Sequence, residues 1–380
     1  MKKKIIIAVL LLFVVLTVTA LVLEWRGSHL SEEYTAEIID RAQQKYNIPA
    51  ISISVMDSEQ ILYTVFDGVR VIGTEDGITS TDYFHIGSCS KAVLAYMSAK
   101  LVEEGSIRWD TKFLDIYPEL KADALEAYSE ITLEDLLACR AGIQPYTSGM
   151  EEYPDLSASQ DKELDFIRYL LSQSPLVSQS ASGKFEFLYS NTSYTLAAAM
   201  LEKVSGLLYE ELLQEYIVRE LGIDVFIGWP YEKNRFQPWG HLPSIDNAPT
   251  VIGPDSVYAL NPLIDPAGNL SMTNESFTKF VQLHLQGMMR SGTQLNSESI
   301  KYMDTKHSEF SLGVWNGTRI SKHYFCLDGT AGTFYARGVI IPDSDFGFTI
   351  MMNCGSEEAV EYINMKLMRA YYNWWWMFWL

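Results

Sequence analysis

The segment FHIGSCSKAVLA, residues 84–95, sets two serines and a lysine inside an otherwise apolar stretch. On a helix, residues three apart share a face, so Ser88 and Lys91 become neighbours while Ser90 points elsewhere. A serine hydroxyl is a weak nucleophile until an adjacent base takes its proton. Lysine can be that base where burial disfavours its charged form. Ala92, Val93, Leu94, Tyr96 and Met97 follow it and would supply that burial. At a helix N-terminus Ser88 would also sit at the positive end of the dipole, which favours a developing oxyanion. The plain alternative is a serine cap followed by a surface lysine.

A second signal is FEFLYSN, residues 185–191. Tyr189 and Asn191 lie two apart in a loop just before a predicted helix, where side chains can converge on a pocket. A phenol can relay a proton, and a carboxamide can hold a substrate carbonyl or orient the lysine. An aromatic plug with an Asn cap is the alternative. The chain has no GxSxG, HExxH, P-loop or GxGxxG, and its six histidines show no metal spacing. Cysteines 89, 139, 326 and 354 form no CxxC motif, and the sequence leaves open whether they pair or stay free.

These residues need elements to carry them. Ser31 to Tyr46 has a helical pattern. Ala50 to Val55 and Ile61 to Phe66 alternate around the polar Asp57–Gln60 and predict a β-hairpin. Ser88 to Glu104 predicts a buried helix capped at Gly105. From about Trp109 to Leu263 the chain reads as mostly helical, with Ile131–Leu137 and Ser193–Ser205 its clearest helices. Short apolar runs at 310–315, 324–327, 333–341 and 346–353 predict strands, separated by turns at Asn316-Gly317, Asp328-Gly329 and 342–345. Glu357 to Trp376 then reads as helix. The class is α+β: one antiparallel sheet built from both chain ends, flanked by helices, with a helical region inserted at about 109–263.

In order and separation, FHIGSCSK, ITLEDLLACRAGI, FLYSN, PAGNLSMT and DGTAGTF resemble the class C β-lactamase-related serine hydrolases, from about residue 33 to 370. That family includes D,D-peptidases, D-aminopeptidases, esterases and β-lactamases. The resemblance implies a β-lactamase/transpeptidase-like fold, with Ser88 as nucleophile, Lys91 as base and Tyr189 as proton relay. It also implies substrate binding by Asn191, Asp328, Gly329 and Thr330, the Thr330 and Ser88 amides forming the oxyanion hole. No metal or organic cofactor is implied. One departure matters: where the family has Lys-Thr-Gly or His-x-Gly, this chain has Leu327-Asp328-Gly329. The cation that would attract a substrate carboxylate is missing and Asp328 would repel one, so a neutral or cationic ester, amide or peptide suits better. Asp328-Gly329 as a simple turn is the alternative. At the level of function, the alternative is a weakly or non-catalytic binder of penicillins or cell-wall fragments.

The chain has 380 residues, 48% of them hydrophobic, and a net charge of −19. That length buries a sizeable core, and that charge argues against nucleic acid as a partner. Three lysines precede the uncharged run Ile5–Leu23, about 28 Å as a helix, roughly a bilayer core. Residues 1–24 therefore read as a signal anchor, or as a signal peptide cleaved after Val18-Thr19-Ala20. Either reading puts the hydrolase domain, residues 30–380, outside the cytoplasm, in the periplasm or at the cell surface. His241 reads as a loop residue that could line the cleft. The aromatic end, residues 374–380, suits a membrane interface or a frayed helix packed on the sheet.

Overall fold

The computed structural model describes residues 30–147, 151–180, 183–244, 248–289, 293–319 and 322–372; the apolar segment 5–23 and the aromatic end 374–380 lie outside them. Among the described residues no helix is long and apolar enough to cross a membrane.

The hairpin begins the fold. β1 (Ala50–Met56) and β2 (Ile61–Gly68) pair with Ile53 opposite Val65. Asp57 shapes the turn, its carboxylate accepting from the N–H groups of Glu59 and Gln60 at 2.7 and 2.8 Å. Four strands from the far end of the chain complete the sheet: β3 (Trp315–Arg319), β4 (Lys322–Thr330), β5 (Tyr335–Ile341) and β6 (Phe346–Met352). The order is β2-β1-β6-β5-β4-β3, antiparallel throughout. Both chain ends thus contribute, as the pattern predicts.

Alternation sends the sheet's side chains to two cores. Ile51, Ile53, Phe348 and Ile350 pack on α1 (Glu32–Tyr46) and α5 (Glu357–Tyr372) through Ile38, Ile39, Ile363 and Leu367. On the other face Ala336, Ile340 and Met351 join a larger core built on α2 (Ser90–Glu103), α3 (Thr192–Ser205) and α4 (Asn274–Met289). Each large apolar side chain buried there contributes about 1.5–3 kcal/mol. α2 is wrapped on nearly every side, which is why its apolar residues show no amphipathic stripe.

Two strand boundaries differ from expectation. Residues 310–314 are not strand; the Ser311 N–H donates to the Val314 carbonyl, folding them into a turn, and β3 starts at Trp315. Asn316-Gly317 therefore lies within β3, opposite Phe325 and Tyr324. Asp328-Gly329 is likewise no turn but the last part of β4, opposite Arg337 and Ala336. The chain reverses only at residues 331–334. The physical reason for a glycine in that strand appears at the site.

Candidate functional site

Ser88 lies in a 3₁₀ turn, Gly87–Cys89, between the short strand Tyr83–His85 and α2. Lys91, one turn into α2, is 1% exposed. Its Nζ is 3.2 Å from Ser88 Oγ, 2.7 Å from Asn191 Oδ1 and 2.8 Å from the Ala267 carbonyl oxygen. A neutral amine has two protons and one lone pair. The carboxamide and the carbonyl accept the two protons, which leaves the lone pair for the Ser88 hydroxyl. Burial pushes the Lys91 pKa down to about 7, and no carboxylate is among the groups acting on it. Ser90, by contrast, donates to the Gly87 carbonyl at 2.7 Å and serves the turn itself.

Asn191 stands at the N-cap position of α3, yet its side chain makes no capping bond. Its Nδ2 donates instead to the Tyr146 carbonyl at 2.7 Å, which aims Oδ1 at Lys91. The Tyr189 ring centre is 4.8 Å from Lys91 Nζ. That ring is stacked on Trp315 at 5.7 Å and meets Phe310 edge-on at 5.4 Å. Burial pushes the phenol pKa well above its ordinary value, and a hydrogen bond with Ser88 offsets part of the rise. At neutral pH Tyr189 is therefore a neutral hydroxyl beside the serine, able to take one proton and give up another.

The end of β4 closes on the serine turn. A Cβ at Gly329 would sit 2.1 Å from the Ile86 carbonyl oxygen and 2.7 Å from the Ser88 nitrogen, and one at Gly87 (φ +50°) would sit 2.6 Å from the Thr330 nitrogen. Only glycine permits this approach, which explains Gly329 in a strand. It brings the Ser88 and Thr330 amides side by side. The Thr330 hydroxyl donates to the Phe334 carbonyl at 2.6 Å and accepts from the Gly332 N–H at 3.0 Å. Its side chain is committed to the loop, so the backbone is what it offers.

The structure corrects the sequence view of Asp328. The residue borders the cleft, but its carboxylate accepts from Arg337 Nε at 2.7 Å and from the Tyr335 hydroxyl at 3.0 Å. Arg337 also pairs with Glu361 on α5. Asp328 is thus paired, sharing Arg337 with Glu361, rather than a lone anion facing substrate. Leu327, one residue earlier, is fully buried in the larger core. Lys91 and Arg337 are both buried, with opposite outcomes: the amine has no carboxylate and moves towards neutrality, whereas the guanidinium has two and stays charged.

These groups open on a cavity of about 630 Å³ bordered by Ser88, Tyr189, Asn191, Tyr258, Trp315 and Thr330. Among the described residues that line it, Asp328 is the sole formally charged side chain. His241 is not among them; it is buried, its Nδ1 donates to the Asn353 carbonyl at 2.7 Å, and its Nε2 accepts from the Ile72 N–H at 3.2 Å. Since a carbonyl only accepts, Nδ1 carries the proton. The four cysteines are buried free thiols. Sequence reasoning missed the Ala267 carbonyl, the Trp315 platform and Arg337. Ala267 lies in PAGNLSMT, which was a signal without an assigned role.

The Beta-lactamase family model matches residues 35–371. Penicillin-binding protein 4 of Amycolatopsis lactamdurans is 23% identical over 284 residues, 74% of this chain and 71% of that one. Unguisins hydrolase ungD' of Aspergillus campestris is 24% identical over 207 residues, 52% of this chain but only 36% of the hydrolase, about a third of its length. A class C beta lactamase from Rhodobacter sphaeroides superposes with a TM-score of 0.69 at 19% identity, covering 88% of this chain and 98% of that one. That likeness speaks to the fold.

Proposed function

The chain belongs to the Beta-lactamase family, and from that premise we propose that it is a serine hydrolase acting through an acyl-enzyme on an ester, amide or peptide carbonyl. The observation that carries the reading is the Lys91 amine, whose two protons are engaged by Asn191 and Ala267 while Ser88 lies at its remaining position. Ser88 Oγ attacks the carbonyl carbon as its proton passes to Lys91 Nζ. The Ser88 and Thr330 N–H groups hold the oxyanion. The proton then reaches the leaving oxygen or nitrogen through the Tyr189 hydroxyl, and the C–O or C–N bond breaks. Water enters by the reverse path and releases the acid, regenerating Ser88.

The cavity lining supports a substrate without a free carboxylate at that point, because no cation is among the described residues that border it. The N-terminal lysines and the apolar run Ile5–Leu23 support action outside the cytoplasm, as an anchored or a secreted protein. A fluorophosphonate should add one phosphonyl group to Ser88, read by mass spectrometry and lost in Ser88→Ala. A p-nitrophenyl ester should give a burst, and be turned over faster than benzylpenicillin. Labelling that persists in Ser88→Ala would refute the assignment.

A further inference from the structure

Beside the catalytic cavity lies a second, of about 560 Å³, and the two share Tyr153 and Asn261. Glu163, Glu202 and Asp265 converge on it from three separate elements. Glu202 accepts from the Tyr209 N–H, and Asp265 from Asn269 Nδ2 at 2.8 Å. Among the described residues no lysine or arginine pairs with any of the three. Lys162 also lines this cavity but is exposed, and Lys203 turns to Glu119. The Tyr209 hydroxyl, also in the lining, is buried with no hydrogen-bond partner, the residue being 8% exposed. Burial, repulsion from Glu202 and then Asp161 push Glu163 up to about 7, and burial pushes Asp265 up to about 6.

We propose that this cavity is a subsite for an organic cation, a primary ammonium or guanidinium carried by the substrate. Carboxylates and a phenol oxygen form an acceptor set that matches a group consisting only of donors. The volume suits a ligand arm rather than a bare ion. Among the described residues no three acidic, histidine or cysteine side chains approach closely enough to hold a metal ion. The subsite is tied to the chemistry through one turn, Asp265–Gly268: Asp265 faces this cavity, and the Ala267 carbonyl holds Lys91. A ligand reaching from Ser88 past Tyr153 and Asn261 would present its cation there.

The link to turnover rests on the serine-hydrolase reading; cation binding does not. Two measurements separate them. In the first, 1,5-diaminopentane is titrated calorimetrically into the Ser88→Ala protein and into the same protein carrying Glu163→Gln. Binding that weakens about tenfold in the second protein, and weakens with added salt, is expected. In the second, p-nitrophenyl ω-aminoalkanoates of graded length are compared with their methyl-terminated isosteres. At one length kcat/KM should favour the amine about tenfold, falling to about twofold in Glu163→Gln and in Glu202→Gln. No calorimetric binding of the diamine to Ser88→Ala protein overturns the proposal. So does binding that Glu163→Gln leaves unaltered while circular dichroism shows the variant folded. Diamine binding that depends on Glu163, in a protein that cleaves no ester, upholds the subsite and refutes the hydrolase reading.

Discussion

Two neighbouring cavities treat charge in opposite ways. In the first, burial lowers the Lys91 amine to about 7; in the second, burial raises the Glu163 carboxyl to about 7 as well. The cause is the same, since loss of water disfavours whichever form is charged. What differs is how the neutral form is received. Lys91 has acceptors for both amine protons and a fixed place in a helix wrapped by core, so its lone pair is presented to Ser88 without further partners. The carboxyls have few donors around them, and a positive group arriving would restore their charge. On the proposed function the first cavity carries its own base, and on the proposed subsite the second is completed by a ligand. An anion placed near Lys91 would spoil the first, whereas a cation near Glu163 would complete the second.

The largest effect that tests this contrast is removal of the base itself. Lys91→Ala should lower single-turnover acylation about as far as Ser88→Ala, because groups acting as one unit lose their effects non-additively. Tyr189→Phe, which keeps the ring on Trp315 and removes only the relay, should cost roughly 10²- to 10⁴-fold. Rapid-quench measurement of the acyl-enzyme would check both. Unchanged rates in the two variants would place the base elsewhere and end the comparison.

How much of this the sequence carried depends on whether the signal was local. Ser88 and Lys91 sit one helical turn apart, so spacing alone puts them on one face, and α2 is apolar enough for its burial to be read directly. The hairpin around Asp57 and the sheet drawn from both chain ends were legible for the same reason: period-two alternation is local. Asp328-Gly329 was misread because turn chemistry and a close backbone approach use the same residue type, and only the folded chain shows Ile86 and Ser88 filling the place of a Cβ. The partner of Asp328 is Arg337 on the next strand, itself paired with Glu361 on α5, a relation fixed by register rather than by spacing. The acidic cavity was invisible for the same reason. Its three carboxyls lie far apart in sequence, and in a chain with 48 acidic residues nothing marks these three.

A smaller effect sharpens the comparison by moving one property of the second cavity into the first. Asn191→Asp keeps the shape and an acceptor beside Lys91 Nζ, at a position now 2.7 Å away, but adds a negative charge. An opposite charge this close favours the protonated amine. The pH at which acylation reaches half its maximum should then rise from about 7 by about one pH unit or more, with activity recovered on the alkaline side. Stopped-flow acylation from pH 5 to 10 would show it. A midpoint that stays in place would mean that the titrating group is not Lys91.

The smallest effect is on stability, and there the two cavities should pull in opposite directions across neighbouring pH windows. For Lys91 the ordinary value is 10.5 and the folded value about 7. Between those values the unfolded chain binds the proton that the folded one has lost, so stability should rise with pH from about 7 towards 10.5. For Glu163 the ordinary value is 4.5 and the folded value about 7, and for Asp265 3.8 and about 6. Within those windows it is the folded chain that holds the extra proton, so these groups should make stability fall as pH rises from about 4 to 7. Together they give a shallow minimum near neutrality. Urea midpoints at pH 5, 7 and 9 separate the contributions. Glu163→Gln, which cannot ionise, should make the acid limb shallower, down to the part that Asp265 supplies, and leave the alkaline one. Lys91→Met, close in volume and without the amine, should flatten the alkaline limb and leave the acid one. An alkaline limb that survives Lys91→Met unchanged would show that burial in α2 does not depress this amine, and the Lys91 base would lose its physical basis.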